Sequence, residues 1–145
     1  MISFTGSRRN RAPWWTDDDW VSCQKVQKVV LPTYYQAKVE ADEYLTALAK
    51  QRGGDFRAID LRPGTLTDDD ATGKVSLGKI AARGSVTRGD VADVAVRLLE
   101  EDVGGWFDLL EGKEDVSEAI MRIITEGIDC VEGEDVNAWI KQHQL

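Results

Sequence analysis

Tyr34 and Lys38 stand four residues apart in the stretch "TYYQAKVEADEYL", Thr33 to Leu45. On a helix that spacing puts both side chains on one face. A phenol whose ordinary pKa is near ~10 is a poor acid–base group at neutral pH. A neighbouring ammonium favours the phenolate and lowers that value. The pair therefore suits proton donation to a carbonyl that receives hydride, with Lys38 also free to hold ribose hydroxyls. The same spacing equally describes a core tyrosine beside a surface lysine.

Other chemistries find less support. His143 is the single histidine, which argues against a Ser-His-Asp triad and a histidine-based zinc site. Cys23 and Cys130 have no metal spacing and read as two reduced thiols. Gly73 to Lys79 fits the phosphate-loop pattern G-x-x-x-x-G-K, but Ile80 stands where Ser or Thr should hold magnesium, so a β-turn excursion is expected. Thr67 to Asp70, "TDDD", lacks the ligand spacing of a calcium loop and reads as a solvated turn. No metal is expected.

The net charge of -8 weighs against nucleic acid as a partner. The one dense basic spot, Arg8, Arg9 and Arg11, lies close to Asp17, Asp18 and Asp19 and is read as a solvated loop, with an anion contact as the lesser alternative. No apolar run approaches the ~18 residues that span a bilayer, and the amino terminus lacks the order of a secretory signal. A cytoplasmic protein is the expectation. With 145 residues, 42% of them hydrophobic, the chain is sized for one domain with a real core.

The elements that must carry Tyr34 and Lys38 can be read from pattern. Residues 1–5 are a candidate strand, followed by a loop-like stretch in which Trp14, Trp15 and Trp20 are expected to cover a core edge. Thr33 to about Arg52 reads as a helix burying Tyr34, Ala37, Ala41, Tyr44, Leu45 and Leu48, with Pro32 before it and Gly53 and Gly54 after it. Phe56 to Leu61 reads as a strand stopped by Pro63 and Gly64, and a long irregular or hairpin-like excursion follows. A helix opened by Thr87 and Asp90 should bury Ala92, Ala95, Val96 and Leu99. A strand at "GWFDLLEG", a helix carrying Val116, Ala119, Ile120 and Ile123, and a short terminal helix complete the pass. The alternation predicts an α/β protein with a parallel sheet.

The ordered blocks "ISFTGSRRNRAPWW", "LPTYYQAKVEADEYL", "DFRAIDLRPGTLTDD", "TGKVSLGK", "GSVTRGDVADVAVRLLE" and "FDLLEGKEDVSEAI" resemble the atypical short-chain dehydrogenase/reductases, of the NmrA-like and biliverdin-reductase-B-like kind. The resemblance implies a partial Rossmann fold, NAD(P) as cofactor, and a small carbonyl or related substrate. It implies that Tyr34 and Lys38 are the catalytic pair. It makes Ser3 the first candidate and Thr5 the second for the active-site hydroxyl, and it sets Pro63, Gly64, Thr65 and Leu66 along the nicotinamide. The glycine-rich strand–turn–helix unit that grips a pyrophosphate is not among these residues.

Three expectations follow. One is a reductase-like protein whose chemistry needs that first unit from elsewhere, with dinucleotide binding by this chain alone weak or absent. A second is a non-catalytic NAD(P)-sensing or interaction module, able to form a homodimer through an exposed sheet edge. The third is an inactive fragment of a protein that begins further upstream.

Overall fold

The computed structural model describes residues 1–145, the side chain of Asp55 excepted. Thr16 caps the first helix, α1 (Asp17–Lys25): its hydroxyl accepts from the Asp19 amide while the Asp19 carboxylate accepts from the Thr16 amide. The reading of this stretch as loop is thus corrected. The helix widens into one π turn, Val26–Val30. Non-helical backbone at Leu31 then resets the direction and Pro32 opens α2 (Pro32–Arg52), which Gly53 ends at a φ of 64°.

Six strands and three further helices follow among the described residues. β1 (Ile59–Pro63) lies parallel to β5 (Gly105–Glu111), in the register Ile59 to Gly105 through Pro63 to Leu109. The excursion between them is more ordered than expected. It contains β2 (Thr65–Thr67) and β4 (Ser85–Thr87), paired parallel in a small sheet of their own, and β3 (Lys74–Leu77), which joins β5 antiparallel. The two-residue β6 (Glu114–Asp115) pairs antiparallel with β3, so the main sheet is mixed, in the order β1, β5, β3, β6. Residues 1–5 run extended along the free edge of β1, where the Ser3 amide donates to Leu61 at 2.8 Å and the Thr5 amide to Pro63 at 3.2 Å.

The two faces of this sheet differ in chemistry because side chains alternate along a strand. Leu61, Phe107 and Leu109 point one way, into a dry core closed by α3 (Arg88–Leu99) and α4 (Val116–Glu126). Asp60, Arg62, Trp106 and Asp108 are also buried, on the alternate positions of β1 and β5. A polar layer there binds the sheet to α2. That layer explains the misjudged face of α2; the face of α3 was misjudged as well. The buried residues of α2 are Val39, Asp42, Glu43 and Ala47, while Tyr34, Ala37, Ala41 and Tyr44 are exposed. Hydrophobic periodicity cannot find a stripe made half of carboxylates. In α3 the stripe is Val91, Val94 and Leu98 beneath the Thr87–Asp90 cap, so Val96 and Leu99 face solvent. In α4 the expected stripe of Val116, Ala119, Ile120 and Ile123 is the buried one. α5 (Val136–Gln142) packs on α2, and Trp139 stacks on Trp106 with ring centroids 5.8 Å apart.

Among the described residues, no helix is long and apolar enough to cross a membrane, and no group of three or more potential metal ligands forms.

Candidate active site

Two buried arginines organise the polar layer. Arg62 is 0% exposed, with its Nε donating to Asp108 at 2.8 Å and its Nη1 to Asp42 at 3.1 Å. The same guanidinium donates to the carbonyls of Ser7 and Thr5, at 3.0 and 3.2 Å, and lies 3.8 Å from the centre of the Trp106 ring. It therefore ties β1, β5, α2 and the residue 5–7 turn together.

Arg8 is likewise 0% exposed and donates to the carbonyls of Asn10, Cys130 and Glu132. Arg9 forms a two-pronged pair with Glu43, and Arg11 pairs with Asp17. The basic spot read as a solvated loop is a staple between the amino-terminal turn, α2 and the carboxy-terminal segment.

The staple holds up one wall of a cavity of about 480 Å³ at the carboxy-terminal end of β1. In open parallel α/β sheets, ligands bind at that end. Thr5 reaches the cavity from the amino-terminal turn, Tyr34 from α2, and Pro63, Gly64 and Thr65 from the turn after β1. Cys23 and Val30 line it from α1 and the π turn.

The far wall, residues 82–84, is hung on the tryptophan cluster. Trp14 and Trp15 both donate to the Ile80 carbonyl, at 3.0 and 2.9 Å, and the Ala82 amide donates to Asp19 at 3.1 Å. The tryptophans thus cover a core edge, as expected. Gly64 has to be glycine: a Cβ there would come within 2.5 Å of the Gly84 carbonyl oxygen, to which the Thr65 amide donates.

Each expected site residue can now be placed. Thr5 lines the cavity and its hydroxyl donates to the Ala82 carbonyl at 3.2 Å. Ser3, the first candidate, does not line it; its hydroxyl is buried and donates to Asp42 at 2.7 Å. Residues 3 and 5 share a face of the extended segment, but Ser3 lies beside Leu61, within β1, whereas Thr5 lies beside Pro63, at the strand end where the cavity opens. Tyr34 is 43% exposed at the rim, its ring 5.2 Å from that of Phe4.

Lys38 stands 5.6 Å from the centre of the Tyr34 ring, and its ammonium donates to the Ile2 carbonyl at 2.8 Å. The expected fall in the phenol pKa does not occur. Burial and, after it, the Asp42 carboxylate push Tyr34 above its ordinary value. Leu66 and Lys38 are not in the lining. Ser22, Cys23, Val26 and Val30 are among the lining residues that pattern reading missed. The capping pair Thr16 and Asp19, with three acids in the first turn, was the available signal for the helix that brings them there.

Elsewhere, Gly73 to Lys79 contains β3 and no helix follows it, so the phosphate-loop match is without its context.

Comparison with known proteins gives this geometry a family. A model of NAD(P)H-binding domains matches residues 7–102, which include Tyr34, Lys38 and the 63–66 turn. The chain belongs to the NAD(P)H-binding family.

It is 37% identical over 95 residues to the uncharacterized sugar epimerase YhfK of Bacillus subtilis, and 29% identical over 117 residues to a UPF0659 protein of Schizosaccharomyces pombe. These matches cover 64% and 79% of this chain but 42% and 45% of the relatives. Among solved structures, the oxidoreductase ylbE of Lactococcus lactis superposes with a TM-score of 0.61 at 25% identity, over 86% of this chain and 50% of its own. A proposed NAD-dependent epimerase/dehydratase of Bacillus halodurans superposes with a TM-score of 0.60 at 24% identity, over 84% and 50%, and supports the fold alone. The chain spans half or less of the length of each of these proteins. Its α/β sheet is Rossmann-like.

The residues present suit the nicotinamide end of such a cofactor, because hydroxyl, phenol and a glycine turn meet at one cavity. They do not supply the pyrophosphate grip, since no glycine turn joins a strand to a helix start.

Proposed function

We propose that this family member is the substrate-side portion of an NAD(P)H-dependent oxidoreductase of the atypical short-chain, NmrA-like kind, acting on a small carbonyl or related substrate. The observation that carries this reading is the meeting of Thr5, Tyr34 and the Pro63–Thr65 turn, from three separate stretches of chain, around one cavity of about 480 Å³. A reduced nicotinamide bound there supplies hydride. Tyr34 donates the proton to the carbonyl oxygen, and its raised pKa keeps the phenol protonated through the neutral range. Thr5, rather than Ser3, orients the substrate oxygen. Lys38 holds the extended amino-terminal segment through Ile2 and turns to the ribose on cofactor binding. The pyrophosphate grip comes from a separate segment or chain.

A second reading, NAD(P) sensing without turnover, draws on one observation: Lys38 is committed to a backbone carbonyl and does not activate the phenol. In that reading the half-exposed Met1 and Ile2, at the outer edge of the sheet, mediate pairing with a second copy.

Titration of the chain with NADPH and NADH, following nicotinamide fluorescence and thermal melting together, tests the first reading. Micromolar binding with a rise in Tm is expected if the nicotinamide end suffices, because a ligand bound only by the folded state stabilises it. Tyr34→Phe should then keep binding and lose carbonyl reduction. Turnover that survives Tyr34→Phe would sink the catalytic assignment and leave the sensing reading.

A further inference from the structure

A second cavity, of about 580 Å³, lies at the opposite end of β1 from Tyr34. It is enclosed by the beginnings of β1 and β5, the carboxy-terminal half of α2, and residues 129–137. Asp60 forms part of its lining and is 1% exposed, yet neither of its carboxylate oxygens has a hydrogen-bond partner. The nearest cation, Arg62, is 3.7 Å away and already committed at shorter range to Asp108 and Asp42. Three buried carboxylates thus compete for one guanidinium, and Asp60 is the one left over.

Three further acids line the same space; Glu134 is committed to the Arg9 and Asn10 amides and Asp135 to the Ala138 amide, which leaves Asp129. One oxygen of Asp129 accepts from the Trp106 and Val131 amides, both at 3.0 Å. Gly105, at a φ of 134°, keeps β5 clear of this carboxylate; a Cβ there would sit 2.8 Å from its other oxygen. Lys50 and Arg57 are the basic residues of the lining, and Arg57 pairs outward with Asp102. Because Asp60 has no hydrogen-bond partner and only a 3.7 Å ion pair with a guanidinium shared among three carboxylates, the site would gain from a further positive group. Among the described residues, no three acidic, cysteine or histidine side chains converge as a metal would require.

We propose that this cavity binds a small organic cation, a primary ammonium or guanidinium group, with Asp60 as its main partner and Asp129 as its second. The site is separate from the Tyr34 cavity and does not depend on the function assigned there.

The test is an NMR titration of the 145-residue chain with n-butylammonium and methylguanidinium, against n-butanol and N-methylurea as neutral matches of similar size. Saturable shifts confined to the amides of Gly105, Trp106 and Asp129 are expected for the cations, with the neutral compounds at least tenfold weaker. Asp60→Asn, which removes the ionisable acid and keeps the shape, should weaken the cations at least tenfold at pH 8, where Asp60 ionises. Lys50→Gln, at the exposed rim, should tighten them about twofold by removing a like charge.

Capped lysine and arginine amides form a second arm. If they bind more tightly than the free amines, the cation is a protein side chain; if more weakly, it is a free metabolite. Equal binding of neutral and charged probes, equal binding by Asp60→Asn, or no saturation in the millimolar range would each overturn the proposal.

Discussion

Replacing Asp60 by Asn should make this protein more stable, and increasingly so as pH rises. Burial raises the Asp60 pKa from 3.8 to about 8; the Asp42 and Asp108 carboxylates add to the rise, while Arg62 and the amino group of Met1 oppose it. Below pH 3.8 the acid is protonated in both folded and unfolded chains, and its contribution to stability is fully present. Above that, the unfolded chain ionises while the folded chain holds its proton, so stability falls until the folded group also ionises near pH 8.

At ~1.36 kcal/mol per pKa unit, the complete loss has a ceiling of roughly 6 kcal/mol. That is large against a typical total of about 5–15 kcal/mol. An asparagine escapes this penalty. Urea denaturation of both proteins at pH 5 and pH 9 isolates the effect, because the other titrating groups cancel in the difference. The advantage of Asp60→Asn should grow by about 2–4 kcal/mol between the two pH values. An unchanged difference, or a variant less stable at pH 9, would show that Asp60 is ionised and paired with Arg62, and would refute this account of the polar layer.

Other perturbations probe the elements around it. Arg62→Met leaves Asp42, Asp60 and Asp108 facing one another without their guanidinium and should cost about 3–5 kcal/mol, read as a fall in the urea midpoint at pH 7. Thr16→Ala removes the side-chain cap of α1 and should cost about 1 kcal/mol, with faster amide exchange concentrated in α1 and the π turn. Burial pushes the Cys23 thiol up to about 12 and the Cys130 thiol upward as well, so neither should react with a thiol-specific reagent at pH 8 until the chain is unfolded. Tyr34→Phe alters a half-exposed phenol and should change stability by less than about 0.5 kcal/mol, so any loss of activity in that variant reports on chemistry.

What could be read from the sequence is local in origin. Pro32 and Gly53 bracket α2, Thr87 and Asp90 open α3, and the apolar runs of β1 and β5 mark strands, because caps, glycine turns and alternation act between residues close in the chain. The α/β class followed from those signals in order. The antiparallel entry of β3 could not be read, since the partner of a short strand is chosen by the space left beside β5.

The polar layer was hidden for a deeper reason. Arg8, Arg62, Asp42 and Asp108 look like surface residues one at a time, and only their mutual pairing makes burial tolerable. The choice of Thr5 over Ser3 at the cavity is likewise tertiary, because pairing with β1 sets Thr5 beside Pro63 at the strand end and Ser3 beside Leu61 within the strand. Sequence by itself determined the main helices and strands and the types of group available for chemistry. Tertiary structure alone decided which charges were buried together, which hydroxyl reached the cavity, and which carboxylate was left without a partner, because a charge's environment is made by residues distant in the chain.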